Sequence, residues 1–291
     1  MTRRWFLDPG LRRGNIRRIE QFLAGDGATA RRVILGSSMS QVLGDQVLGP
    51  DSFSLAMAGS SALTGLEVLR RSDAHPQIVL IEANLLDFAE DEALLGHAFA
   101  PILAAVRQHS TIFRDENRPI NFVVGIPAAG VRRLRNLVTW LRNDVPRSAA
   151  PNPAGVRGTD PVLFAKLMAL ETEHCNTPPD VEVLNAQCRK VREVVQILEK
   201  RGSICVFQEM PIEPSLVISK RCTTLREIAH RYFPDTEYRW IPPDRAGAYE
   251  TKDGVHLTQD SARHRRQYLI EQIDRILAHE PGGGGVAPRE L

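Results

Sequence analysis

Val33-Ile34-Leu35-Gly36-Ser37-Ser38-Met39-Ser40 is a short apolar run that stops at a glycine and a pair of serines. It reads as a buried strand that turns sharply and holds a serine at its tip. In open α/β folds such a tip lies at the carboxyl edge of a sheet, where ligands bind. Far along the chain, Asp253-Gly254-Val255-His256-Leu257 sets an aspartate three residues before a histidine. From one side of a loop, Asp253 can orient the imidazole through Nδ1, which leaves Nε2 to take a serine proton. The two stretches together supply an acid, a base and a hydroxyl nucleophile.

Between these stretches, strand and helix patterns alternate. Arg32–Leu35, Phe53–Ala56, Ile78–Ile81, Ile120–Gly125 and Ser203–Phe207 read as short buried strands. Apolar spacing of helical period predicts helices over Asn15–Leu23, Ser40–Val47, Ala62–Arg71, Glu90–His109, Val131–Arg142, Asp180–Arg201, Thr223–Tyr232 and Thr258–His279. Gly202 is placed as a C-cap and Thr258 as an N-cap. Four- to six-residue strands alternating with helices predict a parallel sheet with helices on both faces. The domain expected is an α/β three-layer sandwich spanning 31–280. A basic segment, 1–30, precedes it, and a glycine-rich tail without fixed structure, 281–291, follows it. Within it, 145–180 opens with Pro, Gly, Ala and Ser and continues as a helical excursion. That stretch is either a lid over the site or a plain surface loop.

The chain has 291 residues, 43% hydrophobic and 25% charged, the composition of an ordinary globular protein able to bury a full core. A net charge of +2 gives no reason to expect nucleic acid as a partner. Arginine is concentrated at the start, with eight in the first 32 residues. That basic segment is a solvated face, or a contact for an anionic membrane surface or a partner protein. The four cysteines include no Cys-x-x-Cys pair and no histidine at zinc spacing, so no metal is expected. No signal peptide is visible, and no apolar run reaches the roughly 18–20 residues that span a bilayer. The compartment expected is therefore cytoplasmic, or periplasmic if an export signal has been removed.

Four blocks in order give the chain a resemblance to the SGNH, or GDSL-like, hydrolase superfamily, from about Arg32 to about Ala278. They are Gly36-Ser37-Ser38-Met39-Ser40, Leu55-Ala56-Met57-Ala58-Gly59-Ser60, Glu82-Ala83-Asn84-Leu85 and Asp253-Gly254-Val255-His256. The resemblance implies a flavodoxin-like fold in which Ser38 is the nucleophile, His256 the general base and acid, and Asp253 its orienting carboxylate. It also implies an oxyanion hole formed by the N–H groups of Ser38 and Gly59 and the side-chain amide of Asn84. No metal or organic cofactor is implied. The substrate expected is a small ester or a polysaccharide carrying O-acetyl groups, with water or a sugar hydroxyl as acceptor. A lipid esterase or thioesterase, and a catalytically silent assembly module, are the alternatives.

Two positions depart from the family pattern. Ser37 stands where the family has aspartate, and Glu82 and Leu85 flank Asn84 in place of glycine and aspartate. The variant first block resembles branches that handle O-acyl groups on cell-surface or secreted polysaccharides. Glu82 is expected near the mouth of the site, against the basic segments or on the sheet edge. Each residue also has a plainer reading: Ser38 as a helix cap, Asp253-Gly254 as a turn, and Asn84 as a strand terminator. Trp240, Tyr249 and Lys252, just ahead of Asp253, could line the acceptor side, although core packing is the favoured role for Trp240.

Overall fold

Five parallel strands form one sheet in the order β2-β1-β3-β4-β5 in the computed structural model, which describes residues 9–45, 47–100, 160–244 and 249–279. The strands are β1 (Arg32–Gly36), β2 (Ser52–Ala56), β3 (Ile78–Glu82), β4 (Ile204–Gln208) and the two-residue β5 (Arg239–Trp240). The described helices, in chain order, are α1 (Pro9–Ala24), α2 (Ser38–Gln41), α3 (Ala62–Arg71) and α4 (Glu92–Ala98). They continue with α5 (Pro161–Asn176), α6 (Val181–Lys200), α7 (Pro214–Val217), α8 (Lys220–Tyr232) and α9 (Gln259–Ala278). The predicted strand Ile120–Gly125, the predicted helix Val131–Arg142 and the tail from 281 lie outside the described residues.

Side-chain alternation explains why the sheet is covered on both faces. Successive strand residues point to opposite sides. Val33, Leu35, Val79, Ile81, Cys205 and Phe207 enter one core, with side chains of α1, α3, α4, α6 and α8. Ile34, Ile78, Leu80 and Val206 enter a second core, with Met39, Leu43, Leu48, Leu257, Leu269 and Ile273. Because neither face meets water, β1, β3 and β4 are apolar almost without interruption. The result is three layers, helices on sheet on helices. The chain steps from β2 on one side of β1 to β3 on the other, which opens the crevice where doubly wound folds bind ligands.

Several boundaries differ from the sequence expectation for identifiable reasons. The helix expected over Ser40–Val47 is the single turn α2, begun one residue after the N-cap Ser37 and followed by Gly44 at φ +89°. The helix α1 begins at Pro9, and Ile16, Ile19 and Phe22 are buried in the first core. The described part of the basic segment, from Pro9 on, therefore packs on the domain through this helix. Its Arg18 is partly buried and bonds Asp45 and the Ser54 carbonyl, while Arg12, Arg13 and Arg17 remain exposed. Arg265 of α9, a charged residue on an amphipathic helix, is only 2% exposed and donates to the Glu209 carbonyl at 2.9 Å. Among the described residues, no helix is long and apolar enough to cross a membrane.

Candidate active site

The β1 strand ends at Gly36, and the backbone turns so that Ser37 caps α2 and Ser38 becomes its first residue. Ser37 Oγ accepts the Met39 N–H at 3.1 Å. Ser38 is thus fixed at a helix start beyond the carboxyl end of the central strand, half-exposed, while Ser37 and Ser40 are buried. The cap expected of Ser38 is made by its neighbour, and the Ser38 hydroxyl is left for another partner.

That partner comes from the opposite end of the chain. Residues 250–258 form a tight hairpin, closed by a Thr251–Leu257 bridge and by the Lys252 N–H on the His256 carbonyl at 2.8 Å. Leu257, 1% exposed, anchors the hairpin in the second core. Gly254 at its tip has φ +101°, and a Cβ there would lie 2.5 Å from Met168 Sδ. Only glycine satisfies both the turn and the helix packed on it.

The hairpin sets His256 Nε2 2.8 Å from Ser38 Oγ and His256 Nδ1 2.6 Å from Asp253 Oδ2. The other Asp253 oxygen accepts the N–H groups of His256 and Val255 at 2.8 and 3.1 Å. Asp253 therefore holds the imidazole with Nδ1 protonated and Nε2 as the acceptor of the Ser38 hydroxyl. Burial alone would raise the Asp253 carboxyl, but hydrogen bonds from His256 and Val255 outweigh it and hold it below the ordinary aspartate range. The bond to Asp253 raises the imidazole, burial opposes this, and the nearby charges of Asp253, Glu171 and Glu82 raise it further.

The structure gives Glu82 a different place from the one expected. It is buried beneath the serine turn, bonded to Ser37 and Ser40, rather than exposed at the mouth of the site. Its Oε1 accepts the Ser37 hydroxyl at 2.6 Å, and its Oε2 accepts the Ser40 hydroxyl at 2.5 Å. The Ser37 and Ser40 N–H groups both donate to Oε2 at 3.1 Å. One carboxylate thus organises both sides of the nucleophile turn. Burial pushes its carboxyl up, and these four hydrogen bonds pull back. A Cβ on Gly36 would sit 2.5 Å from Oε2, so the glycine makes room for the carboxylate. Strand register brings the two together: Leu35 pairs with Ile81, which sets Gly36 and Glu82 at the ends of adjoining strands.

Gly59 and Asn84 follow the carboxyl ends of β2 and β3, the two strands that flank β1. Gly59 is exposed at φ +70°, and the turn that carries it is tied to α1 by Asn15 Nδ2 on the Ala58 carbonyl at 3.0 Å. Asn84 lies just past β3, but its amide is clasped to Met210: Nδ2 donates to the Met210 carbonyl at 3.0 Å and Oδ1 accepts the Met210 N–H at 2.6 Å. One Nδ2 hydrogen is left for a ligand. Trp240 is a packing residue, with Nε1 on the Phe233 carbonyl and its ring stacked on Phe207 and His230. Lys252 is exposed, and Tyr249 donates its hydroxyl to Asp244 at 2.7 Å.

The helix α5 lies over the catalytic hairpin. Met168 and Leu216 cover Gly254, and Glu171 is close enough to feel the charges of Asp253 and His256. Since the Glu171 carboxylate raises the imidazole, Glu171→Gln is expected to lower the His256 pKa. NMR titration of the His256 ring checks this: its protonation midpoint should move to lower pH, and a move upward or none at all would contradict it.

In comparisons with known proteins, no family model matches the chain and no curated protein matches it either.

Proposed function

We propose that this chain is a serine ester hydrolase or O-acyltransferase of the SGNH type, working through an acyl-Ser38 intermediate. The observation that carries this reading is the continuous hydrogen-bond relay Asp253–His256–Ser38, assembled from residues 218 positions apart at one rim of the sheet. In the first step, Ser38 Oγ attacks the ester carbonyl and its proton passes to His256 Nε2. Asp253 stays ionised and stabilises the imidazolium. The tetrahedral oxyanion meets the N–H groups of Ser38 and Gly59 and the remaining Asn84 hydrogen, each typically worth about 3–4 kcal/mol of barrier. Collapse breaks the ester C–O bond, and His256 returns the proton to the departing alcohol. Water, or a sugar hydroxyl, then repeats the sequence on the acyl-serine with His256 as base.

An O-acetyl group on a carbohydrate is the preferred substrate, on the strength of the variant Gly36-Ser37-Ser38 block. A lipid esterase is the second reading, favoured by the exposed Val162, Leu163 and Leu170 of α5, the helix over the hairpin. Turnover of acetyl and long-chain nitrophenyl esters separates the two. Preference for the acetyl ester is expected, and preference for the long chain would transfer the proposal to lipid. A fluorophosphonate probe tests the chemistry itself. It should label the folded wild type on Ser38, and failure to label would favour a silent assembly module.

A further inference from the structure

Residues of α8 and α9, from opposite faces of the sheet, line a cleft of 1110 Å³ at β5, the last strand in the sheet order. One end reaches Asn84, the side-chain donor of the oxyanion site above, and the other reaches His279 at the end of α9. The volume is larger than the roughly 300–1,000 Å³ of ordinary small-ligand pockets and far more than an acetyl group needs. The rings of His230 and Trp240, stacked with centroids 4.2 Å apart, give the cleft an aromatic wall. Pro242 and Pro243 follow β5 almost directly and blunt it, so an added peptide strand does not suit this place.

The acidic residues of the cleft are already answered. Glu209 is held by Arg226 at 2.6 Å, Asp235 by His230 at 3.0 Å, and Asp244 by Tyr249 and His264 at 2.7 and 3.1 Å. Two of its arginines are not. Arg265, 2% exposed, spends Nη2 on Gln208 Oε1 and the Glu209 carbonyl, and its Nε has no partner among the described residues. Gln208 Nε2, fully buried beside it, is a second donor without one. Burial pulls the Arg265 guanidinium down, as it must for a cation with no carboxylate bonded to it. Arg275, on the same helix, is exposed and bonds no carboxylate among the described residues. The helical rise sets these two arginines about 15 Å apart along the cleft. Phosphates along a nucleic-acid strand repeat every ~3.4 Å, so cations this sparse suit widely spaced single charges.

We propose that this cleft is a glycan subsite in which Arg265 and Arg275 receive carboxylates of an acidic polysaccharide, a chain of uronic acid units. The assignment deepens the acyl-transfer reading and rests on it: the O-acetyl group of one unit would lie at Ser38 while neighbouring units occupy the cleft. A carboxylate is a monoanion whose two oxygens match a guanidinium, and a spaced row of them matches a spaced pair of arginines.

The experiment is calorimetric titration of the full chain with four probes: an oligogalacturonate, a neutral cello-oligosaccharide of equal length, sodium acetate and a single-stranded oligodeoxynucleotide. The oligogalacturonate should bind at least about tenfold more tightly than each of the others, the scale of one charge-assisted contact. Arg265→Gln, with its fold verified by circular dichroism, should remove most of the preference over the neutral chain. Arg275→Glu, at an exposed position, should weaken the oligogalacturonate alone, and it keeps the test decisive if the buried substitution unfolds the protein. No binding, equal binding of the charged and neutral chains, or an unchanged preference in either folded variant would overturn the proposal. Tighter binding of acetate would make this a site for a free carboxylate, and tighter binding of the oligodeoxynucleotide a nucleic-acid groove; either result also overturns it. These readouts do not depend on turnover. Oligogalacturonate binding without fluorophosphonate labelling would remove the hydrolase and leave the carboxylate recognition, whereas labelling without binding would remove the subsite alone.

Discussion

Ser38→Ala is expected to lower turnover of a short nitrophenyl ester by on the order of 10⁵- to 10⁶-fold, the loss seen when an activated serine is removed from a triad. The reason is geometric. The bond between Ser38 Oγ and His256 Nε2, at 2.8 Å, is the one route by which the described relay can generate an alkoxide. Ser37 and Ser40 cannot substitute, because both hydroxyls are buried and committed to Glu82. His256→Ala should cost about as much, and the double variant little more, since the two residues act as a unit. Asp253→Asn should cost about 10⁴-fold by favouring the wrong imidazole tautomer. Ser38 is a half-exposed first helical residue whose capping is done by Ser37, so alanine there should shift unfolding by no more than about 0.5 kcal/mol. Paired kinetic and denaturation measurements check this. Substantial ester turnover by a folded Ser38→Ala protein would remove the proposed mechanism.

The parts of this site that could be read from the chain are those whose meaning is local. Asp253 and His256 lie three residues apart, so one tight hairpin is enough to bring them together. The Gly36-Ser37-Ser38 turn announces itself by breaking an apolar run. The strands β1, β3 and β4 are visible because burial on both faces leaves them unbroken apolar stretches. What could not be read depends on register between distant segments. A glutamate ending an apolar strand has no local partner, and its role appears only once β3 is laid beside β1. Arg265 is a similar case. Helical period counts charge as polar face, but the polar atoms at the end of β4 draw this arginine inward. Asn84 was read as a donor to substrate, and the loop after β4 that occupies much of its amide lies 126 positions away. The position of α5 over the hairpin was open in the sequence, since composition distinguishes a lid from a surface loop only weakly.

Glu82→Gln should then show what the buried carboxylate contributes. Four donors converge on it, from both backbone and side chain of Ser37 and Ser40. A carboxylate has only acceptor sites and suits all four, whereas a carboxamide presents an NH₂ group to donors. Glutamine should therefore loosen the turn that aims Ser38, lowering kcat about 10- to 100-fold with little change in KM, as expected when only transition-state positioning is lost. Glu82→Ala leaves all the donors unanswered in the core and should destabilise the fold by about 3–5 kcal/mol, the scale for removing one partner of a buried charged network. A purely structural role would stop there. The carboxylate also raises the His256 imidazole, so its neutralisation should lower that pKa. Catalysis requires His256 unprotonated, and a lower pKa extends the active range downward, so the acid limb of the kcat/KM profile should move to lower pH in Glu82→Gln. A reduced rate with the acid limb unmoved would show that Glu82 acts on Ser38 through the turn alone, and an unreduced rate would show that the turn holds its shape without it.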